Sequence, residues 1–159
     1  MPTGPRIVLD SVLYHIMAIG NQKQEVFIEE IDFSEYLKRI RHYKRKYKFR
    51  LYGFCLMPNH VHIIGEIENK EDLSKFMHGI SRSYTAYFNK KYGKVGHLWQ
   101  GRFNSRIISK DQYAVDCMNY VELNPVRAGI AMMPSEYTWS SYKERVLGGD
   151  NKLLDAMML

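Results

Sequence analysis

The chain has 159 residues, of which 45% are hydrophobic and 25% charged, a composition that argues against disorder and against a membrane-spanning protein. The length predicts one domain over residues 1–159 with a short, flexible C-terminal tail, and the lack of a signal-peptide core predicts a cytoplasmic location. The net charge of +6 favours a polyanionic partner without requiring one.

A strand and a basic helix are predicted first. Residues 12–20 are rich in β-branched and aromatic residues, which predicts a strand. From Asp32 to about Tyr47 the apolar residues recur at three- and four-residue steps, which predicts an amphipathic helix. Eight cations lie off its apolar face or just past its end, with no acid among them after Glu35. They form either a solvated surface or a phosphate-binding strip, and they are Lys38, Arg39, Arg41, Lys44, Arg45, Lys46, Lys48 and Arg50.

A hairpin and a second helix come next. Two β-rich runs, 49–57 and 60–67, are joined through a Pro-Asn turn and predict an antiparallel hairpin. An apolar stripe with helical spacing then predicts a helix over about 71–92.

The remaining segments complete the fold prediction. Residues 96–109 resemble a strand, 110–123 predict a helix that ends before a proline, and 139–147 suggest a further short helix. This order of elements predicts an α+β fold. We expect a ferredoxin-like antiparallel sheet with helices on one side, plus a C-terminal helix.

Two histidines on the fourth predicted segment are the first candidates for chemistry. Side chains alternate between faces along a strand, so His60 and His62 project to the same side and could share a metal ion. A bare pair of this kind is more often two satisfied, partly buried histidines, and two ligands alone do not make a site. Tyr120, on the helix predicted over 110–123, and Asn124, which directly follows that helix, are four residues apart and are expected to face the same way. Among 12 tyrosines, a packing role for Tyr120 is the simpler explanation.

Five stretches of the chain resemble one known family. They are PRIVLDSVLYHIMAIGN, YGFCLMPNHVHIIGE, YFNKKYGKVGHLWQGRF, YVELNPVRAGI and YTWSSYKE, and they extend in family order from about residue 5 to 144. Together they resemble the REP-associated tyrosine transposases. That family is a branch of the IS200-like, single-tyrosine HUH transposases, which cut and rejoin single-stranded DNA. The combination of MPNHVH with YVELNPVRA is highly specific.

The resemblance implies a role for each matching residue. His60 and His62 match the metal ligands, and Tyr120 matches the nucleophile, which would be carried by the C-terminal helix. Asn124 stands where related single-tyrosine transposases place a glutamine that completes the metal site. The resemblance implies Mg²⁺ or Mn²⁺ as the cofactor and a 5′-phosphotyrosine intermediate with a free 3′-hydroxyl.

The implied substrate is a short palindromic repeat folded as a hairpin with a single-stranded flank. Arginines near the predicted centre or on the basic helix could contact phosphates, and Trp99 could stack on an unpaired base, although it fits the core equally well. The predicted DNA contacts are Arg41, Arg45, Arg82, Trp99, Arg102 and Arg106. The sequence is compatible with a monomer and with a homodimer. It is also compatible with two other functions, a non-catalytic ferredoxin-like nucleic-acid-binding module and a hydrolytic metal-dependent nuclease.

Overall fold

One antiparallel sheet of four strands organises the part of the chain that the computed structural model describes, residues 12–148 and 152–157. The start of the first matching stretch, residues 5–11, lies outside these described residues, as do residues 149–151 and 158–159 of the predicted tail. The elements are β1 (Val12–Ile19), α1 (Glu30–Lys46), β2 (Phe49–Met57), β3 (His60–Ile67), α2 (Asp72–Tyr92), β4 (Asn104–Ile108), α3 (Gln112–Glu122), α4 (Asn124–Arg127) and α5 (Tyr142–Leu147).

The strands lie in the order β2-β3-β1-β4, with each neighbouring pair antiparallel. This is the ferredoxin-like arrangement, so the predicted fold class is confirmed. The β2–β3 hairpin has the predicted boundaries and places Met57 opposite His60. Because β3 lies between β2 and β1, each of its residues is flanked on both sides.

The two faces of the sheet bury different helices. Helices α1 and α2 cover the face that carries Val61 and Ile63, and they form the larger core with aromatic residues such as Tyr36 and Tyr84. Helix α3 covers the opposite face, where Met118 packs closely against β2. A Cβ atom on Gly53 would lie 3.2 Å from Cγ of Met118, so the glycine permits this close approach.

Helix α1 begins two residues earlier than predicted. Glu29 is its N-cap, and Asp32 completes a capping box by accepting a hydrogen bond from the Glu29 backbone N–H at 2.9 Å. The fully buried Asp32 carboxylate also accepts hydrogen bonds from Tyr87 and Lys91 of α2. Burial would raise the pKa of Asp32, but these hydrogen bonds outweigh it and lower the pKa. The carboxylate therefore caps one helix and joins it to the next.

Two elements in the second half differ from the prediction. Strand β4 covers only Asn104–Ile108 of the predicted 96–109, because Gly101 has a φ of 62°, which interrupts an extended strand. The helix predicted over 110–123 is α3, and it is followed by α4, a further turn that was not predicted; the two are separate helices, since Pro125 has no N–H to continue the hydrogen-bond ladder. Asn124 is therefore the first residue of α4 and does not share a continuous helix with Tyr120.

The described part of the C-terminal tail packs against the edge of the sheet. The backbone N–H of Asp155 donates to the Leu51 carbonyl, and the Asp155 carboxylate accepts a hydrogen bond from the Leu51 N–H. Leu153 is buried against the core formed with α1 and α2. Residues 152–157 therefore extend the contacts of β2.

Candidate active site

His60 and His62 lie on the face of the sheet that α3 covers. The alternation along β3 directs Val61 and Ile63 into the opposite core, as the sequence predicts. His62 is only 6% exposed, whereas His60 is partly exposed at the start of the strand. The two ring centroids are 5.0 Å apart. The structure therefore brings the two imidazoles together at the start of β3.

Both histidines are held through the same ring nitrogen. Nδ1 of His60 lies 2.7 Å from Oδ1 of Asn59, and Nδ1 of His62 lies 2.9 Å from Nε2 of His15 on β1. Among the residues that the structure describes, Nε2 of each ring makes no hydrogen bond. Histidines that ligate metals usually make a hydrogen bond through the ring nitrogen that does not bind the metal, which orients the ring.

The protonation state of the pair suits ligation. Burial lowers the pKa of His60. Burial is also the main cause that lowers the pKa of His62 to about 3, and the neighbouring His15 and His60 and then the charge of Arg127 contribute. Both imidazoles are therefore neutral at pH 7, and the neutral ring is the form that binds a metal ion.

Tyr120 lies on α3 with 58% of its surface exposed. Within residues 12–148 and 152–157, its hydroxyl makes no hydrogen bond. Its ring is covered by the guanidinium of Arg127, whose Cζ lies 3.9 Å from the ring centroid, and Nη2 of Arg127 donates to the Tyr120 carbonyl at 2.8 Å. The ring of Tyr120 is thus stacked against Arg127, and its hydroxyl has no partner in the described part of the chain.

Arg127 is a site residue that sequence reasoning missed. It belongs to the YVELNPVRAGI stretch, but the spacing of that stretch assigns it no contact. Besides stacking on Tyr120, its charge helps to lower the pKa of His62. Arg127 therefore lies against the tyrosine on α3 and also exerts its charge on His62 of β3.

Asn124 has a side-chain amide with an unsatisfied group. Its Nδ2 atom is buried, and it has no hydrogen-bond partner among the residues that the structure describes. In the same residues no group of three or more histidine, cysteine, aspartate or glutamate side chains is arranged to hold a metal ion. A third ligand would therefore have to come from another residue type, such as this asparagine.

Helix α3 is anchored by a buried carboxylate. Glu122 is only 1% exposed and accepts hydrogen bonds from Nε of Arg145 at 2.9 Å and from Oγ of Ser141 at 2.5 Å. The same serine hydroxyl accepts a hydrogen bond from the Phe54 N–H in β2. The helix that carries Tyr120 is in this way tied to α5 and to the sheet.

The basic strip on α1 is partly neutralised, although its sequence contains no acid after Glu35. Glu35 pairs with Lys38 at 3.1 Å and with Arg39 at 3.6 Å, because residues three and four apart are neighbours on a helix. Asp155 of the tail pairs with Lys44 at 2.8 Å, a contact between residues 111 positions apart that no local pattern could reveal.

The residues predicted to contact DNA lie in two places. Arg41 and Arg45 lie on α1, and Arg82 lies on α2, where it lines a groove of about 450 Å³ between these helices together with Lys46 and Lys75. Arg45 makes no ion pair with any described residue. The groove therefore presents cations from both helices.

The other three residues predicted to contact DNA lie on or beside β1. One is opposite His15, and two are at the end of the strand. Arg106 is opposite His15 in the β1–β4 pairing and contributes to lowering the pKa of that histidine, after burial. Trp99 and Arg102 line a cleft of about 270 Å³. Trp99 also packs near Tyr36 in the core, with ring centroids 6.0 Å apart, so its placement leaves both of its predicted roles open.

Comparison with known proteins assigns this chain to a family. The family described as "Transposase IS200 like" matches residues 8–124, which is more than half of the chain. The chain therefore belongs to the IS200-like transposase family.

Two curated relatives confirm the resemblance to the REP-associated branch. A protein of Haemophilus influenzae assigned as a REP-associated tyrosine transposase is 26% identical in an alignment 111 residues long, which covers 63% of this chain and 62% of the relative. The REP-associated tyrosine transposase of Escherichia coli K12 is 25% identical over 107 residues, which are 67% of this chain and 62% of the relative. In both cases the chain spans less than two thirds of the relative's length.

A solved structure has the same fold. It is a REP-associated tyrosine transposase bound to a REP hairpin, and it superposes with a TM-score of 0.77 over 99% of this chain and 93% of that chain, at 20% identity.

Of the helices in residues 12–148 and 152–157, none combines the length and the apolar character that crossing a membrane requires.

Proposed function

We propose that this protein is a metal-dependent tyrosine transposase that cleaves and rejoins single-stranded DNA at hairpin-forming repeats through a 5′-phosphotyrosine intermediate. One observation carries the proposal. An exposed tyrosine, stacked against Arg127 and with a hydroxyl that has no partner among the described residues, lies on the helix that packs against the sheet face bearing His60 and His62. Family membership and a REP-bound structural neighbour support the choice of substrate.

The donor set fits a divalent cation, either Mg²⁺ or Mn²⁺. Nε2 of His60 and Nε2 of His62 are both available, because Nδ1 of each ring is occupied. The buried amide of Asn124 could supply a third ligand, since half a turn of the amide exchanges its unpartnered nitrogen for its oxygen. When bound, the cation would polarise the scissile phosphate as a Lewis acid.

Tyr120 is the proposed nucleophile. Its oxygen attacks phosphorus, the bond from phosphorus to the 3′ oxygen breaks, and a bond from phosphorus to Tyr120 replaces it. The phenolic proton passes to solvent, and the departing 3′ oxygen takes up a proton to become a hydroxyl. A phenol has a pKa of about 10, so the reaction benefits from a cation beside the ring. Arg127 provides that charge.

The covalent intermediate explains why a tyrosine would be used. The phosphotyrosine bond retains the free energy of the phosphodiester, so the 3′-hydroxyl of a second strand can reverse the reaction without an external energy source. Hydrolysis by water would lose that free energy. The reaction is therefore a strand transfer, with no net change in the number of phosphodiester bonds.

A denaturing gel distinguishes this function from the two alternatives. Single-stranded hairpin DNA labelled at its 3′ end is incubated with the protein and Mn²⁺. A tyrosine transposase gives a labelled protein–DNA adduct that survives denaturation. A non-catalytic binding module leaves the DNA intact, and a hydrolytic nuclease releases a fragment with a free 5′-phosphate.

The histidine assignment is tested in the same assay. His62→Ala should bind the hairpin but form at least about 100-fold less adduct, because metal polarisation contributes several kcal/mol. His42→Ala, an exposed histidine on α1, is the matched control and should react like the parent. Parental cleavage by His62→Ala at saturating Mn²⁺ would refute the assignment.

A further inference from the structure

His15 is a buried polar residue to which the proposed chemistry assigns no role. It lies on β1, is 9% exposed, and stands opposite Ile64 in the pairing with β3. Its neighbours on this sheet face include the apolar side chains of Leu13 and Ile64. A buried imidazole is costly among such side chains unless it makes a hydrogen bond, and His15 makes one to His62.

The contact between the two imidazoles has a defined chemistry. Nε2 of His15 lies 2.9 Å from Nδ1 of His62, and the ring centroids are 5.1 Å apart. A hydrogen bond between two ring nitrogens requires that one carries hydrogen and the other a lone pair. The direction of this bond therefore decides which nitrogen of His62 is free to bind a cation.

The tautomer of His60 indicates which direction of the hydrogen bond between His15 and His62 would suit metal binding. Nδ1 of His60 lies 2.7 Å from Oδ1 of Asn59, and an amide oxygen can only accept a hydrogen bond. His60 therefore carries its hydrogen on Nδ1 and its lone pair on Nε2. The two histidines present matching donor atoms only if His62 has the same tautomer.

We propose that His15 is a positioning residue for His62: it accepts the hydrogen on Nδ1 of His62 and so directs the lone pair of Nε2 toward the cation site shared with His60. The proposal rests on the proposed function, because it concerns the same metal site. Asn59 has the equivalent role for His60.

A ligand role for His15 is less compatible with the contacts. Its Nε2 atom is the one engaged by His62, and a nitrogen lone pair that accepts this hydrogen bond is not available to a cation. Among the described residues no three side chains of the usual metal-binding types are arranged around a common point. His15 therefore acts through His62.

Two substitutions separate positioning from simple packing. His15→Gln retains an oxygen that can accept the hydrogen bond, whereas His15→Phe fills the space without any acceptor. Thermal unfolding of both variants checks that they are folded. The tautomer of His62 is then read in metal-free protein from long-range ¹H–¹⁵N correlation spectra, and Mn²⁺ affinity is measured by electron paramagnetic resonance.

We expect the metal-free parent and His15→Gln to carry hydrogen on Nδ1 of His62. His15→Phe should lose this preference and bind Mn²⁺ about 10- to 100-fold more weakly, while His15→Gln stays within about threefold of the parent. A parent in which Nε2 of His62 carries the hydrogen would overturn the proposal even if His15→Phe does not fold. Parental Mn²⁺ affinity in His15→Phe would also overturn it. Failure to form a DNA adduct would overturn the proposed function alone, because both measurements here are made without DNA.

Discussion

At the scale of single residues, the candidate site depends on a side-chain contact between two helices, α3 and α4, that are joined by a turn of the chain. Arg127 follows Tyr120 by seven residues, yet it lies over the tyrosine ring because the chain turns between α3 and α4. Its hydrogen bond to the Tyr120 carbonyl holds it there. A guanidinium in this position can stabilise both a developing phenolate and a bound phosphate.

Replacing Arg127 by methionine keeps an unbranched side chain and removes the guanidinium. We expect the single-turnover rate of adduct formation to fall about 100-fold, because a preorganised charge beside the nucleophile is lost. Arg127→Lys should recover only part of this rate, since an ammonium group cannot reproduce the planar stack. Lys143→Met, an exposed cation on α5, is the control. A parental rate in Arg127→Met would exclude Arg127 from the chemistry.

At the scale of secondary-structure elements, the position of α3 is set by a few contacts with α5 and β2. Glu122, at the end of α3, pairs with Arg145 of α5 and accepts a hydrogen bond from Ser141. Gly53 allows Met118 to lie close to the strand. Because Tyr120 lies between Met118 and Glu122 in sequence, both contacts restrain the helix around the proposed nucleophile.

Arg145→Met should lower the free energy of unfolding by about 3 kcal/mol, because it leaves the Glu122 carboxylate buried without its ionic partner. Lys143→Met on the same helix should change it by less than about 0.5 kcal/mol, as is usual for an exposed position. Urea denaturation measures both values. Equal stability of the two variants would show that the ion pair does not anchor α3.

The other element with a predicted function is α1. Arg45 is an exposed cation with no ion pair among the described residues, whereas Lys38 is paired with Glu35. If α1 contacts phosphates, Arg45→Glu should weaken hairpin binding and reduce the salt slope by about one. Lys143→Glu, which makes the same charge reversal on α5, should leave the slope unchanged. An unchanged salt slope in Arg45→Glu would show that Arg45 belongs to the solvated surface and does not contact DNA phosphates.

At the scale of the whole molecule, local sequence signals predicted the order of elements and much less of the site. The β2–β3 hairpin was predictable because its turn and its alternating faces are encoded within about 20 residues. The contact between His15 and His62 joins residues 47 positions apart and depends on the β1–β3 register, which no local pattern specifies. The family resemblance supplied the proposed roles of His60, His62 and Tyr120, which spacing alone left open.

The identity of the nucleophile is the central claim, and one substitution tests it directly. Tyr120→Phe retains the ring beneath Arg127 and removes only the attacking oxygen, so it should fold, bind Mn²⁺ and bind hairpin DNA. Tyr113→Phe on the same helix is the matched control, because the exposed fractions of the two tyrosines are similar, 55% and 58%. Both variants are incubated with 3′-labelled hairpin DNA and Mn²⁺, and the denaturation-resistant adduct is quantified. We predict parental adduct formation by Tyr113→Phe and none by Tyr120→Phe. Cleavage by Tyr120→Phe, whether it gives an adduct or a free 5′-phosphate, would contradict the account.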